Sequence, residues 1–280
     1  MNSSIHPCLC LIGKIAEATD FYIHVFGEGR ITQKSDLVIV LELSGQKFML
    51  LNDGLQSKPN PAISFMVTSE TEEETELYWN KLIKEGMSLM PLDAYDWSKK
   101  YGWVQDKYGV SWQLYTGSRQ DTPQKFCPTL MFTAASAGRA AEAVRFYTQL
   151  YPNSRIEGML NYGENDHDKP SLIKHAQFKI KDYTMMAMDS SAKHGFAFNE
   201  AISLVVECDT QAEIDRYWDK LSDNGGQEVA CGWVTDKFGL SWQIIPAQLI
   251  DLMKEPERAK RVLNKVMQMK KLITAELENA

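Results

Sequence analysis

The side chains best able to do chemistry in this chain are few and lie far apart in the sequence. Cys8 and Cys10 are the only close pair among five cysteines, and their alternation with Leu9 predicts a strand with both thiols on one face. Two such thiols could bind a metal ion or carry out redox chemistry. Cysteines also act as small buried hydrophobic side chains in a reducing compartment, and this alternative stays open.

Histidine supplies the second set of candidates, because its neutral ring can act as a base or a metal ligand near pH 7. His6 lies near the N-terminus, His24 in a predicted helix, and His167 and His194 in predicted loops. Only His175, at the start of a predicted strand, is expected to face a site. A lone histidine is commonly a hydrogen-bonded structural residue, and this role is the alternative to a functional one for His175.

A fourteen-residue sequence occurs twice. Residues 102–115 read GWVQDKYGVSWQLY and residues 232–245 read GWVTDKFGLSWQII, with nine identical positions. Ordinary composition would give about one identity by chance. The chain is therefore a fused duplicate, in which Gln113 and Gln243 hold equivalent places.

The duplication extends upstream of this phrase. TEEETELYWNKL at 71–82 matches TQAEIDRYWDKL at 210–221, and NPAISF at 60–65 matches NEAISL at 199–204, both at an offset of 139 residues. The offset of the fourteen-residue phrase is 130, which predicts a longer loop in the first copy around residues 90–101. We predict a first module at 1–120, a second module at 125–247 and a tail at 248–280.

Each copy is predicted to run β, α, β, β, β, α, β, β. Apolar residues after Ile15 and from Ala140 have helical spacing, a hairpin with a glycine turn begins at Val38, and β-rich runs begin at Ala62 and Ala201. The fourteen-residue phrase reads as two strands joined by a turn. This order matches a βαβββ motif counted twice in each copy.

The turn inside the repeated phrase contains Asp106-Lys107 in the first copy and Asp236-Lys237 in the second. A short aspartate side chain commonly accepts hydrogen bonds from backbone N–H groups of its own turn. We expect this structural role for both aspartates rather than catalysis.

Charge and composition exclude several classes of partner. The 280 residues include 30 Lys and Arg against 37 Asp and Glu, a net charge of −7, which argues against a nucleic-acid backbone as the partner. The N-terminal residues lack the basic start and apolar run of a signal peptide, and no stretch reaches the roughly eighteen apolar residues of a membrane span. We expect a cytoplasmic protein without a nucleic-acid or membrane partner.

The tail after Pro246 keeps apolar residues at spacings of three and four. Pro256 is expected to start a helix, since proline is favoured in a first helical turn, and basic residues follow it. This helix is predicted to pack on its own sheet or on a second subunit, and the second arrangement would give a homodimer. Binding to a membrane surface or an acidic partner is the alternative.

Four matched segments carry a family resemblance: the Phe-Tyr pair on the first helix, the Asn-x-Ala-Ile-Ser strand, the Tyr-Trp-x-Lys-Leu helix and the fourteen-residue phrase. Over about residues 5–246 the chain resembles the PhnB-like branch of the glyoxalase/bleomycin-resistance/dioxygenase superfamily, the vicinal oxygen chelate proteins. This branch often bears the name 3-demethylubiquinone-9 3-methyltransferase. The resemblance implies an α+β fold in which tandem βαβββ modules form curved mixed sheets, or cups, with a site inside and a C-terminal helical extension beyond.

The superfamily commonly holds a divalent metal with a His on the first strand, a His or Gln on the central strand and a Glu on the last strand. The resemblance places these three positions at Cys8 and Thr129, at Ala62 and Ala201, and at Gln113 and Gln243. Alanine cannot coordinate an ion, threonine is a poor ligand, and glutamine lacks the charge of a carboxylate. We therefore expect no metal and no other cofactor.

Glutamine and tryptophan alternate at the end of each repeated phrase. If Gln113 faces the cup, Trp112 faces the helices, because strand side chains change sides at every residue. This predicts Gln for ligand contact and Trp for packing, while an aromatic wall around a planar or apolar ligand is the alternative for the tryptophans. The complete set of candidate cup residues is Gln113, Gln243, His175, Cys8, Cys10, Thr129, Ser64 and Ser203.

Three classes of function follow. The first is a protein whose cups bind a small organic molecule without the usual metal, either to sequester it or to act on it in a reaction the sequence does not identify. The second is a metal-dependent lyase, isomerase or dioxygenase with unorthodox ligands, using His175, Cys8 or Cys10 with Gln113 or Gln243. The third is a structural partner-binding module, favoured if its own side chains fill both cups.

The family name suggests methyl transfer, but the sequence lacks the pattern of a Rossmann cofactor-binding site. A Rossmann cofactor site needs a strand that leads into a glycine-rich turn and then a helix. Here Gly27 and Gly29 follow a predicted helix, and Gly225 and Gly226 end one.

Overall fold

The computed structural model describes residues 4–52, 54, 57–120 and 122–280. These residues form two compact units, unit 1 with residues 7–202 and unit 2 with residues 4–6 and 203–280. None of the helices in the described residues is long and apolar enough to cross a membrane.

The first copy of the repeat contains eight strands and two α-helices in the described residues. They are β1 (Ile5–Cys10), α1 (Ile15–Phe26), β2 (Gly29–Lys34), β3 (Val38–Leu43), β4 (Gln46–Leu51), β5 (Ile63–Ser69), α2 (Glu72–Leu82), β6 (Met87–Tyr95), β7 (Ser98–Gln105) and β8 (Ser111–Thr116). The order is therefore βαβββ twice, as the sequence predicts for the motif.

The second copy repeats this order and adds the tail. Its elements are β9 (Phe126–Phe132), α3 (Ala140–Leu150), β10 (Arg155–Asn161), β11 (Ile173–Ile180), β12 (Tyr183–Asp189), β13 (Ile202–Cys208), α4 (Gln211–Ser222), β14 (Gln227–Glu228), β15 (Trp233–Thr235), β16 (Ser241–Pro246), α5 (Leu249–Leu252), α6 (Pro256–Gln268) and α7 (Thr274–Glu278). The predicted α+β class and the C-terminal helical extension are confirmed.

The predicted order lacks two strands in each copy: β2 and β6 in the first, and β10 and β14 in the second. Each of them pairs with one neighbouring strand only, and their residues are mostly exposed or half-buried. A strand that is open to solvent needs no apolar alternation, so the sequence pattern carries no signal for it. The prediction of a loop around residues 90–101 was therefore wrong: this segment forms the β6–β7 hairpin.

Unit 1 contains a complete eight-stranded mixed sheet with the order β10-β11-β12-β9-β5-β8-β7-β6. The antiparallel pair β5 and β9 lies at its centre, flanked by the parallel pairs β5/β8 and β9/β12. The sheet takes four strands from each sequence repeat. The boundaries at 1–120 and 125–247 stay a prediction about where the two modules begin and end.

The remaining strands follow the same pairing rules. In unit 1, β1 pairs in parallel with β4, β4 pairs antiparallel with β3, and β3 pairs antiparallel with β2. In unit 2, β13 pairs in parallel with β16, β16 pairs antiparallel with β15, and β15 pairs antiparallel with β14.

One face of the eight-stranded sheet is apolar and is covered by helices. Phe65 and Trp112 are fully buried there. Their partners include Phe26 and Tyr22 of α1, whose ring centroids lie 4.8 and 5.4 Å from that of Trp112. The prediction that Trp112 packs against helices, and so points away from Gln113, is confirmed.

The repeated turns are built by their aspartates, as predicted. Oδ1 of Asp106 accepts hydrogen bonds from the backbone N–H groups of Tyr108 at 2.8 Å and Val110 at 3.0 Å. Its Oδ2 accepts from Trp112 Nε1 at 2.8 Å and from the hydroxyl of Tyr22 at 3.0 Å. Burial raises the pKa of Asp106 to about 6, because desolvation of the carboxylate outweighs these four hydrogen bonds.

The tail packs within unit 2. Pro256 starts α6, as predicted, and the segment after this helix is held by backbone hydrogen bonds from Cys231 N to the Met269 carbonyl and from Gly232 N to the Lys270 carbonyl, both 2.8 Å. Leu272 is fully buried. A Cβ atom on Gly232 would lie 3.0 Å from the Ile244 carbonyl oxygen and 3.1 Å from a methyl carbon of Leu272, and the φ angle of 82° at Gly232 lies in the region that favours glycine.

Candidate functional site

The face of the eight-stranded sheet opposite Trp112 carries most of the predicted site residues. We call it the polar face and define it by Ser64, Ser111, Gln113, Thr129 and Gln177. Ser64 lies directly opposite Ser111 on one side and Thr129 on the other. Thr129 is in turn opposite Met186, and Met186 opposite Gln177, so these side chains form one row across five strands.

Gln113 is the centre of a buried hydrogen-bond network on this face. Its Nε2 donates to Ser64 Oγ at 2.7 Å, and its Oε1 accepts from the hydroxyl of Tyr101 at 2.8 Å. Gln113, Ser64 and Tyr101 are all buried. The network consists only of neutral groups, and each amide atom of Gln113 retains capacity for one further hydrogen bond.

Tyr101 was not among the residues selected from the sequence. It lies on β7 opposite Tyr115 of β8, and its pKa is raised by burial, so the phenol keeps its proton and donates to Gln113 at neutral pH. The signal that could have identified it is its position immediately before the repeated phrase, where the second copy has Cys231 instead. The two copies therefore differ at the residue that fixes the glutamine.

His175 lies on the same polar face, on β11. Two residues further along this strand is Gln177, and side chains two residues apart share a face. The His175 side chain is solvent-accessible, while nearby protein atoms lower its pKa by desolvation of the imidazolium, so the ring is neutral near pH 7. An open cleft of about 380 Å³ is lined by Glu157, Gly158, Met159, Leu160, His175 and Gln177.

Methionines line the apolar parts of the polar face. Met66 lies opposite Gln113 and also opposite Cys127, and Met131 lies opposite Met188. Methionine side chains adapt to ligand shape and make favourable sulfur–aromatic contacts. Sequence reasoning missed them because a methionine within a strand is indistinguishable from an ordinary core residue.

The second-copy candidates repeat the central contact within unit 2. Gln243 Nε2 donates to Ser203 Oγ at 3.0 Å, and both residues are buried. Trp233 lies opposite Gln243 on β15. Gln and Ser therefore form the same pair in both copies.

Cys8 and Cys10 lie apart from the polar face. They alternate on β1, as predicted, and both are buried opposite Met49 and Leu51 of β4. All five cysteines of the chain are free thiols. The two thiols therefore belong to a different set of strands from Gln113, Thr129 and His175.

The positions implied for a divalent metal do not fit one in the eight-stranded sheet. Gln113 is engaged by Ser64 and Tyr101, and Thr129 Oγ1 donates to the Cys127 carbonyl at 3.3 Å. Ala62, aligned with the central-strand ligand, precedes β5, and Ser64 takes the place beside Gln113. Throughout 4–52, 54, 57–120 and 122–280, no group of three or more His, Cys, Asp and Glu residues is arranged to hold a metal ion.

Comparison with solved structures defines the class of fold. The chain is similar to glyoxalase I from Zea mays, with a TM-score of 0.59 at 14% identity over 87% of this chain and 92% of that chain. A shorter match is a putative 3-demethylubiquinone-9 3-methyltransferase, PhnB protein, from Bacillus cereus, with 38% identity and a TM-score of 0.38 over 39% of this chain and 96% of that chain. No curated protein gave a match.

The family follows from the sequence match. The chain belongs to the 3-demethylubiquinone-9 3-methyltransferase family, whose model matches residues 3–115 and 124–245. The predicted resemblance is thereby confirmed for both copies, within a glyoxalase-like fold.

Proposed function

We propose that the polar face of the eight-stranded sheet binds a small organic molecule through neutral hydrogen-bonding groups, without a metal ion held by the protein. The observation that carries this proposal is the Tyr101–Gln113–Ser64 network. An amide held between a phenol and a hydroxyl offers a fixed donor and a fixed acceptor, whereas a divalent ion prefers charged or imidazole ligands.

The open cleft on the polar face supports ligand binding rather than a purely structural role. The cleft lined by His175 and Gln177 lies on β10 and β11, at the opposite end of the sheet from Tyr101, and its volume of about 380 Å³ falls within the range of small-molecule sites. Methionines and neutral polar groups on the same face fit the usual lining of such sites, which is apolar with a few placed hydrogen-bonding groups.

The metal-enzyme alternative has less support. Its candidate ligands are His175, Cys8 or Cys10 with Gln113 or Gln243, and the two thiols lie on β1, outside the sheet that holds His175 and Gln113. The family name includes methyl transfer, but Gly27 caps the C-terminus of α1 and Gly225 follows α4, so neither glycine opens a helix as a Rossmann turn does.

We expect purified protein to contain far less than one divalent metal ion per chain after dialysis, as measured by inductively coupled plasma mass spectrometry. We also expect a ligand found by thermal-shift screening in EDTA to bind, since a ligand at 100 times its Kd adds about 2.7 kcal/mol to the free energy of unfolding. Stoichiometric metal that survives dialysis and is needed for ligand binding would contradict the proposal.

The matched variants are Gln113→Leu and Gln105→Leu. Gln105 lies on the adjacent strand opposite Ser111, and its Nε2 donates to the Gly109 carbonyl at 2.9 Å. We expect Gln113→Leu to weaken ligand binding at least about ten-fold, because a ligand group that paired with the amide is left unsatisfied. Gln105→Leu should bind almost as the unmodified protein does.

A cytoplasmic location and a homodimer complete the proposal. The five free thiols are consistent with a reducing compartment. The homodimer rests on sequence reasoning alone and is measured by size-exclusion chromatography with light scattering.

A further inference from the structure

The β6–β7 hairpin distinguishes the first copy from the second. Nineteen residues separate Leu82 from Gly102, whereas ten separate the equivalent Leu221 from Gly232. The structure uses the nine additional residues to extend two strands, which have nine and eight residues in the first copy and two and three in the second. The second copy thus forms its hairpin without this extension.

The extended hairpin carries three aromatic rings that form the hairpin aromatic cluster: Tyr95, Trp97 and Tyr101. Tyr95 and Trp97 are stacked, with ring centroids 5.0 Å apart and planes at 23°. Both meet the ring of Tyr101 edge-on, at 5.7 and 5.9 Å. Trp97 remains 54% exposed, so a large part of its indole is open to solvent.

The hairpin aromatic cluster is joined to the polar face by Tyr101. The hydroxyl of Tyr101 donates to Gln113, which donates to Ser64, so contacts run from the exposed indole of Trp97 to the central strand of the sheet. At the position of Tyr101 the second copy has Cys231, which offers neither a ring nor a phenol. The cluster and its link to the glutamine are therefore a property of the eight-stranded sheet in unit 1.

We propose that the hairpin aromatic cluster makes this site selective for a planar, uncharged ring with a hydrogen-bonding edge. The inference rests on the proposed function and adds the chemical class of the ligand. A planar ring extends the Tyr95–Trp97 stack over the open indole, where a saturated ring of the same size makes fewer contacts. A charged ligand would lose its hydration beside Tyr101, Gln113 and Ser64 without gaining an opposite charge.

Two probes test this inference by isothermal titration calorimetry with the full chain. Quinolin-2-one is planar and carries an adjacent N–H donor and carbonyl acceptor. Its saturated analogue octahydroquinolin-2-one keeps this lactam edge but is not planar. We expect quinolin-2-one to bind about ten-fold more tightly, a difference within the range of aromatic stacking.

Three variants separate stacking from a general effect on the hairpin. Trp97→Leu keeps an apolar side chain but loses the flat ring, and is expected to remove the preference for quinolin-2-one. Trp97→Phe should retain most of it. Met87→Ala, at another exposed apolar position of the same hairpin, should leave both affinities unchanged.

Equal affinities for the two probes, or a preference that survives in Trp97→Leu, would overturn the inference. If Gln113→Leu then weakened both probes, the proposed binding role of the polar face would still stand. Binding of neither probe would also overturn the inference, while the proposed function would be judged separately by the metal measurement and the ligand screen.

Discussion

Asp106→Ala is expected to lower the free energy of unfolding by about 3–5 kcal/mol. The substitution leaves four donors without their acceptor: the backbone N–H groups of Tyr108 and Val110, Nε1 of Trp112 and the hydroxyl of Tyr22. Lys107→Ala is the matched control in the same turn, because its ion pairs with Glu17 and Glu85 lie at the surface and contribute little. Urea denaturation followed by circular dichroism measures both.

The effect of Asp106→Ala should depend on pH in a defined direction. The folded protein binds the Asp106 proton more tightly, since its pKa is about 6 against 3.8 for an ordinary aspartate. The stability that this protonation contributes is complete below pH 3.8 and is lost as the pH rises through 6. The loss caused by the substitution should therefore be greater at pH 4.5 than at pH 8, by about 2 kcal/mol.

Equal losses at the two pH values would mean that Asp106 does not hold its proton more tightly in the folded protein. Losses as small as those of Lys107→Ala would show that the turn closes without the aspartate. Asp106→Asn also cannot ionise, so its loss relative to the unmodified protein should show the same pH dependence as that of Asp106→Ala, but should be smaller because asparagine keeps one acceptor oxygen.

Leu272→Ala is expected to lower the free energy of unfolding of unit 2 by about 2–5 kcal/mol, because it leaves a cavity beneath the tail. Leu272 is fully buried, its carbonyl accepts from Gln211 Nε2 at 3.1 Å, and it lies against Gly232. Leu263→Ala is the matched control, since this α6 leucine is 37% exposed.

Leu263→Ala should lower the free energy of unfolding by less than about 1 kcal/mol if the tail packs as the structure shows. Urea denaturation monitored by tryptophan fluorescence compares the two, because Trp218, Trp233 and Trp242 report on unit 2. A larger loss for Leu263→Ala than for Leu272→Ala would show that the exposed side of α6, and not the segment at Leu272, carries the packing of the tail. It would also favour the alternative in which α6 packs on a second subunit.

The sequence specified local features well because their hydrogen bonds join residues close in the chain. The turn at Asp106, the hairpin at Ser44 and Gly45, and the helix start at Pro256 all depend on contacts within four residues or on the φ angle of one residue. The prediction that Trp112 and Gln113 lie on opposite faces was equally reliable, since a strand places neighbouring side chains on opposite faces.

The strands that pair with one neighbour only could not be predicted from the sequence pattern. β6 is mostly exposed and irregularly paired with β7, so its residues show neither alternation nor a continuous apolar run. Tyr95 and Trp97 consequently fell in a segment predicted to be a loop, although they form the most exposed part of the aromatic cluster next to the site.

The sequence by itself determined that the chain is duplicated, that each copy is built from βαβββ motifs, and that Gln113 and Gln243 hold equivalent places in the two copies. Only the tertiary structure placed Ser64 beside Gln113 and Thr129, which lie forty-nine and sixty-five residues further along the chain. Pairing between distant strands depends on how the whole sheet assembles, and several pairings satisfy the same apolar pattern. That freedom is why the neutral network at the candidate site could be assigned only once the strand order was known.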